Sequence, residues 1–206
     1  MKRLLLSIFL LSTLAVIPVA RAADNAVKPG LYGSLGLSHV TLRDSDFSDG
    51  TDSVTVESDG GYGIMAALGY RFTNNLRAEG EIAYRHNDLD NVEGIDLNGD
   101  AKAWSFMANG YYDFNTGGVQ PYLGAGIGVA RVSQDSTFTV GGFTYDSEGS
   151  DTVLAYQAIV GVAVPVATDT NIGVEYRYFG TQNPEDEGVE AEYGTHNIGV
   201  RLNHSF

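Results

Sequence analysis

The chain has 206 residues, with 26 Asp+Glu against 12 Lys+Arg for a net charge of −14, together with 26 Gly, 5 Pro and no Cys. Without Cys there is no disulfide, zinc–thiolate site, iron–sulfur cluster or cysteine nucleophile, and the acidic surplus excludes nucleic acid as a partner, because that binding is mostly neutralisation of phosphates by Lys and Arg. A hydrophobic content of 43% is too high for a disordered chain, the glycines follow no collagen period, and the length suits one domain.

Residues 1–22 read as a secretory signal. Lys2 and Arg3 make a positive start, an apolar run follows from Leu4 to Val19, and Ala20-Arg21-Ala22 is a small-residue cleavage site. The apolar run includes Ser7, Ser12 and Thr13 and is shorter than the ~20 residues a membrane-spanning helix needs. Cleavage is expected between Ala22 and Ala23, leaving a barrel domain over 23–206; it removes Lys2, Arg3 and Arg21 and no acid, taking the net charge from −14 to −17.

From there on, apolar residues recur at period two with small or polar residues between them, which is strand periodicity. Strands are expected at 30–40, 61–72, 76–86, 102–114, 119–133, 152–166, 171–179 and 193–206. Most have the ~9–11 residues, or slightly more, of a tilted strand crossing a bilayer. The connections alternate between short (73–75, 115–118, 167–170) and long (41–60, 87–101, 134–151, 180–192). Short turns at one end and long loops at the other describe an all-β, eight-stranded antiparallel up-and-down transmembrane barrel, turns in the periplasm and loops outside the cell.

Alternation also assigns faces. Tyr62, Ile64, Ala66, Leu68, Tyr70 and Phe72 share one face of the second strand, against Gly63, Met65, Ala67, Gly69 and Arg71 on the other. On the fourth, Trp104, Phe106, Ala108, Tyr112 and Phe114 oppose Ser105, Met107, Asn109 and Asp113; on the eighth, Ile198, Val200, Leu202 and Phe206 oppose Asn197, Gly199, Arg201 and Asn203. The apolar sets meet lipid and the polar sets face inward, the inverse of a soluble barrel. Aromatic girdles follow at both boundaries, Tyr70, Phe72, Tyr112, Phe114 and Phe206 at the periplasmic one and Tyr84, Trp104, Phe106, Tyr156 and Tyr178 at the outer one.

Three stretches carry a family likeness: Pro121-Tyr122-Leu123-Gly124-Ala125-Gly126-Ile127-Gly128, Glu175-Tyr176-Arg177-Tyr178-Phe179, and the ending from Asn197 to Phe206. With them the chain resembles the small outer-membrane β-barrels of Gram-negative bacteria, the opacity-type and outer-membrane-protein-A-like barrels, over its whole mature length. The resemblance implies an outer-membrane location. It also implies a terminal signal for the barrel assembly machinery in Val200, Leu202 and Phe206, with His204 standing where such barrels carry another aromatic or apolar residue. Its members include adhesins, serum-resistance factors, small pores and structural proteins, so it leaves the activity open.

Inward charges are the first candidate functional set: Arg71, Arg77, Glu79, Glu81, Arg85, Glu175, Arg177 and Arg201. Isolated charges there are too costly, so they pair or meet water. Two readings follow, a salt-bridge plug and an ion-conducting path; an eight-stranded lumen is just wide enough for side chains to fill, which favours the plug. The row Gly124, Gly126, Gly128 either leaves space beside the network or makes room for a large side chain from another strand.

The long connections hold 20 of the 26 acidic residues. A solvated, repulsive surface explains this most simply; bridging of loop carboxylates to lipopolysaccharide phosphates by divalent cations is a second reading. Asp88-Leu89-Asp90-Asn91-Val92-Glu93-Gly94 resembles a calcium loop, but Val92 stands at a ligand position and Gly99 where the closing Glu belongs, so no metal site is assigned. A third reading makes the loops a surface for a host or surface protein, with Phe47, Leu89, Phe138, Phe143 and Tyr145 among the contacts. Residues 138–145 also read as a hairpin that continues two strands above the membrane.

Catalysis is not expected. Ser38 and His39 are neighbours on one strand and so point to opposite faces, and no Gly-x-Ser-x-Gly elbow, His-Glu-x-x-His helix or phosphate-cradling loop occurs. No cofactor is expected; the partners are outer-membrane lipid and lipopolysaccharide, and the chain is expected to be monomeric. The leading function is surface structure and interaction through the acidic loops, the alternative a small cation-selective channel whose mouth the loop carboxylates enrich in cations.

Overall fold

The computed structural model describes residues 29–42, 47–48, 53–54, 60–89, 97–114, 118–140, 143–182 and 194–206. Eight strands form the barrel: β1 (Gly30–Leu42), β2 (Gly61–Arg71), β3 (Leu76–Leu89), β4 (Leu97–Asp113), β5 (Gln120–Val140), β6 (Phe143–Ala167), β7 (Thr170–Thr181) and β8 (Gly194–Ser205). Each pairs antiparallel with its neighbours in sequence, and β1 closes on β8 from Tyr32↔Ser205 to Leu42↔Thr195. Closure leaves no sheet edge within the wall. In hydrocarbon, where no water serves an open backbone group, that is the one arrangement of strands that satisfies every N–H and C=O. A separate two-residue ladder pairs Phe47–Ser48 with Ser53–Val54 between β1 and β2.

Two of the short connections are tight turns, and the β6–β7 one is tied to β8 by the Ser205 N–H donating to Asp169 C=O at 2.7 Å. Phe72 N–H donates to Leu76 C=O at 2.8 Å across the β2–β3 turn, where Asn75 takes φ 65°. Asn tolerates this left-handed conformation because its short side chain bonds locally. Thr168 and Asp169 alone separate β6 from β7, and the register shifts by a bulge at Pro165–Ala167, where proline has no N–H for the ladder.

The strands outrun the reading by hydropathy. The connection expected over 134–151 is mostly strand: β5 and β6 stay paired from Gln120↔Ala163 to Val140↔Phe143, and β4 begins at Leu97 rather than Lys102. Apolar alternation stops near Arg131, but the ladder bonds do not depend on apolar side chains. With 21 and 25 residues, β5 and β6 are far longer than the ~9–11 that cross the hydrocarbon, so their hairpin rises above the membrane.

The faces divide sharply. Leu35 is 62% exposed, Leu68 70% and Ile127 73%, whereas the inward Ser34, Ala67, Ser105, Asn109 and Gln157 are buried. Edge-to-face rings mark the turn end, Tyr70 on Phe72 and Tyr112 on Phe114, both with centroids 5.0 Å apart. Tyr84 packs on Trp104 at 4.9 Å and Tyr156 on Tyr178 at 6.2 Å at the loop end.

Candidate functional site

Period-two alternation turns one side chain in two into the lumen, and on β2, β3, β7 and β8 many of these are charged. The structure places Arg71, Arg77, Glu79, Glu81, Arg85, Glu175, Arg177 and Arg201 there, all buried. They lie in four groups along the barrel axis.

In the middle, Arg201 is the hub. Its Nη2 pairs with Glu79 and donates to Ser34 Oγ at 2.9 Å, its Nη1 donates to Tyr111 Oη at 2.9 Å, and its Nε donates to Asn203 Oδ1 at 2.8 Å. Tyr32 Oη donates to Glu79 Oε2 at 2.8 Å and Tyr111 Oη to Oε1 at 3.2 Å, so both carboxylate oxygens are engaged. Towards the loops, Arg177 Nη1 meets Glu81 Oε1 at 2.5 Å, while Gln157 and Asn109 complete that group, Gln157 Nε2 donating to Asn109 Oδ1 at 2.6 Å and Asn109 Nδ2 to Glu81 Oε2 at 3.1 Å. Glu175 ties the two groups together. It takes Arg177 Nη2 on Oε1 at 2.9 Å and Tyr122 Oη on Oε2 at 3.0 Å, with Arg201 Nη1 at 3.8 Å. Charge-assisted hydrogen bonds of this kind are the strong ones, and their weight grows where water is excluded.

At the turn end Arg71 and Arg77 are direct register partners across β2 and β3. Asp113 sits 2.9 Å from Arg77 Nε but 3.9 Å from Arg71 Nε, and Arg71 Nε is buried without a hydrogen-bond partner. Near the loop end the guanidinium of Arg85 lies 3.9 Å over the Phe179 ring, and its Nη1 donates to Ser105 Oγ at 3.0 Å.

Three luminal tyrosines complete the packing, and each faces a glycine as its register partner: Tyr32↔Gly69, Tyr111↔Gly124 and Tyr122↔Gly161. A Cβ on those glycines would stand 2.4, 2.4 and 2.3 Å from the rings. A Cβ at Gly126 would meet Asn109 Oδ1 at 1.9 Å and one at Gly128 the Phe106 carbonyl at 2.0 Å. The glycine row therefore makes room for β4, for its side chains at Gly124 and Gly126 and for its backbone at Gly128, rather than leaving a path. Tyr32, Tyr111, Tyr122 and Gln157 are network members that the charge pattern alone misses; the signal that finds the three tyrosines is an inward Tyr facing an inward Gly.

Elsewhere, Val200 and Leu202 lie on the outer wall of β8, and Phe206 is 80% exposed. Ser38 faces inward and His39 outward, so they form no dyad. The cleavage pair Ala22 and Ala23 lies outside the described residues, as do Asp44, Asp46, Asp49, Asp52, Glu57, Asp59, Asp90, Glu93, Asp96, Glu185, Asp186, Glu187, Glu190 and Glu192. No group of three or more His, Asp or Glu among the described residues is placed to hold a metal.

A closed antiparallel barrel of eight strands, apolar outside with an aromatic belt at each end and charged within, is an outer-membrane barrel. Residues 7–206 match the outer membrane protein beta-barrel domain, and the chain belongs to that family and resides in the outer membrane. Outer membrane protein PagN of Salmonella typhimurium is 28% identical to it over 186 residues, 78% of this chain and 78% of that protein. Among solved structures, Neisserial surface protein A superposes with a TM-score of 0.56 at 23% identity, covering 86% of this chain and 97% of that one. Ail of Yersinia pestis superposes at 0.52 and 19% identity, covering 85% and 99%. Both likenesses establish the fold.

Proposed function

We propose that the protein is a cell-surface structural and interaction barrel whose acidic extracellular loops form its working face. The observation that carries this reading is the filled lumen: Arg201, Arg177, Glu79, Glu81 and Glu175, with Tyr32, Tyr111 and Tyr122, bond to one another from wall to wall. A plugged barrel exposes function only at its ends, and one end carries 20 of the 26 acidic residues. The β5–β6 hairpin raises part of that charge above the membrane.

Charge selects the partner class. Ail was crystallised in complex with the heparin analogue sucrose octasulfate; loops as acidic as these repel such polyanions, so the fitting partner is a basic protein surface, with apolar loop residues as contacts. The remaining steps belong to the same reading: cleavage between Ala22 and Ala23, delivery through the assembly machinery by Val200, Leu202 and Phe206, and a monomer set in lipopolysaccharide.

The test is binding of the refolded mature chain to intact host cells and matrix proteins. Binding that weakens with salt, and weakens further when loop Asp and Glu are changed to Asn and Gln, is expected; no binding to either overturns the reading. The channel alternative has one observation in its favour, a small cavity beside Ser38, Gly63, Arg85, Arg177, Asn197 and Gly199. Planar-bilayer recording separates the two, since a plug is silent and a cation channel gives stable steps whose selectivity falls with loop neutralisation.

A further inference from the structure

Among the described residues the lysines and arginines are not scattered. Arg71, Arg77, Arg85, Arg177 and Arg201 are luminal, and the two others, Lys102 and Arg131, stand on the outer wall of neighbouring strands. Lys102 is the register partner of Ser133 and Trp104 that of Arg131, so Lys102 and Arg131 are diagonal neighbours on one face and Trp104 adjoins both. Residues in that relation lie ~7–8 Å apart, within reach of one ligand through long side chains. We propose that Lys102, Arg131 and Trp104 form a docking site on the barrel wall for the phosphorylated headgroup of an outer-leaflet glycolipid.

Depth is the first argument. On the turn side of these residues the wall is apolar, with Phe106, Val129 and Leu154 exposed; on the loop side, two residues along each strand beyond the Lys102↔Ser133 pair, Asp100 and Asp135 are register partners. The two cations therefore mark the edge of the hydrocarbon, where an outward Arg or Lys costs far less than at the bilayer midplane. Lipid phosphates lie at that depth. A tryptophan packed at a tilt against Tyr84 belongs there too, its ring apolar and its N–H suited to the wet side.

Charge complementarity is the second. A chain of net charge −14 is repelled by a phosphorylated leaflet, and acid follows directly above the site, so cations at phosphate depth supply local attraction. Arg131 Nη2 donates to Ser150 Oγ at 3.3 Å across the β5–β6 ladder, which orients the guanidinium while its exposed edge faces outward. That planar fork suits two phosphate oxygens, and the Lys102 ammonium adds a point charge.

The single tryptophan of the chain, Trp104, reports on the site. The full mature chain is refolded into phosphatidylcholine vesicles containing bisphosphorylated lipid A, dephosphorylated lipid A or phosphatidylglycerol. Bisphosphorylated lipid A alone is expected to shift Trp104 emission and raise the temperature of the heat-modifiable gel transition. The K102Q/R131Q variant, folded by gel mobility, should need at least tenfold more lipid A for the same response, and K102R/R131K should retain it. Equal responses to phosphorylated and dephosphorylated lipid A, or to phosphatidylglycerol, overturn the proposal. So does an undiminished response in K102Q/R131Q, or a shift that follows protein-to-lipid ratio instead of lipid A content, which would place a second copy on this face.

Discussion

Tyr111 and Gly124 face each other across the β4–β5 ladder, and the tyrosine ring occupies the space a Cβ on Gly124 would take, 2.4 Å from it. Tyr111 in that position takes a hydrogen bond from Arg201 and gives one to Glu79. Gly124→Ala is therefore expected to displace the ring and disturb both bonds, at a cost of about 1–3 kcal/mol, the usual range for overpacking a filled interior. Urea titration in lipid vesicles measures it. In a Tyr111→Ala background the same substitution should cost almost nothing, because the clash is gone, and full additivity in this cycle would reject the steric account.

Glu79 and Arg201 give a second cycle. Glu79 accepts from Arg201, Tyr32 and Tyr111, so Glu79→Gln leaves the buried Arg201 guanidinium with Glu175 at 3.8 Å as its remaining counter-charge, expected to cost about 3–5 kcal/mol. Glu79→Leu/Arg201→Met should lose less than the sum of its single changes, since removing both charges also removes the desolvation they carry. The readout is the urea midpoint of the four proteins.

The strand number and the inward charges were legible because period-two patterning is local; the alternation of connection lengths was not fully so, since only two residues separate β5 from β6 where a long connection was expected. Arg71 through Arg201 could be placed on one face by counting. Their pairing could not, since Glu79 meets Arg201 and Glu81 meets Arg177 across the lumen, through a geometry that depends on barrel closure. The luminal tyrosines were hidden by composition: Tyr111 and Tyr112 are adjacent, one inside and one outside, and hydropathy does not separate them. The length of β5 and β6 was hidden because a water-exposed ladder needs no apolar alternation.

Conductance tests the seal. Arg177 links Glu81 and Glu175, and Arg201 links Glu79 to the wall at Ser34 and Asn203. Wild-type protein is expected to be silent in a planar bilayer. Arg177→Ala/Arg201→Ala, folded by gel mobility, should pass ions in brief cation-preferring steps because three carboxylates then lose their arginine partners. Silence from the folded double variant would assign the block to the tyrosines, and Tyr111→Ala would be the next substitution to record.

Above the membrane, Asp88, Asp100, Asp135 and Glu148 occupy consecutive paired positions across β3, β4, β5 and β6. Opposite charges at such positions contribute about 0.2–1 kcal/mol, and like charges act against the pairing. Asp135→Asn is expected to slow proteolysis of the β5–β6 hairpin at low salt. Raising ionic strength should slow cleavage of the wild type and narrow the difference, as screening of exposed charges requires. Equal cleavage rates at every salt concentration would mean that the row is not repulsive.

Arg71 and Arg77 share a register pair and a carboxylate, but not equally. Arg77 holds Asp113 at 2.9 Å and Tyr111 under its guanidinium at 4.4 Å, whereas Arg71 stands 3.9 Å from Asp113 with its Nε unpartnered and makes a long contact of 3.4 Å to Ser205 Oγ. Two like charges directly opposed in a ladder repel, and only one of them is compensated at short range. Arg71→Met is therefore expected to leave stability unchanged or raise it, since a buried charge with incomplete pairing gives way to an apolar side chain of similar length. Arg77→Met should destabilise, because it leaves Asp113 with the distant arginine alone. Asp113→Asn should cost most of the three, by leaving both guanidinium groups without an anion. Urea midpoints of the three variants in one lipid composition give the order; an Arg71→Met midpoint as low as that of Arg77→Met would show that the two arginines bear equally on the turn end of the barrel.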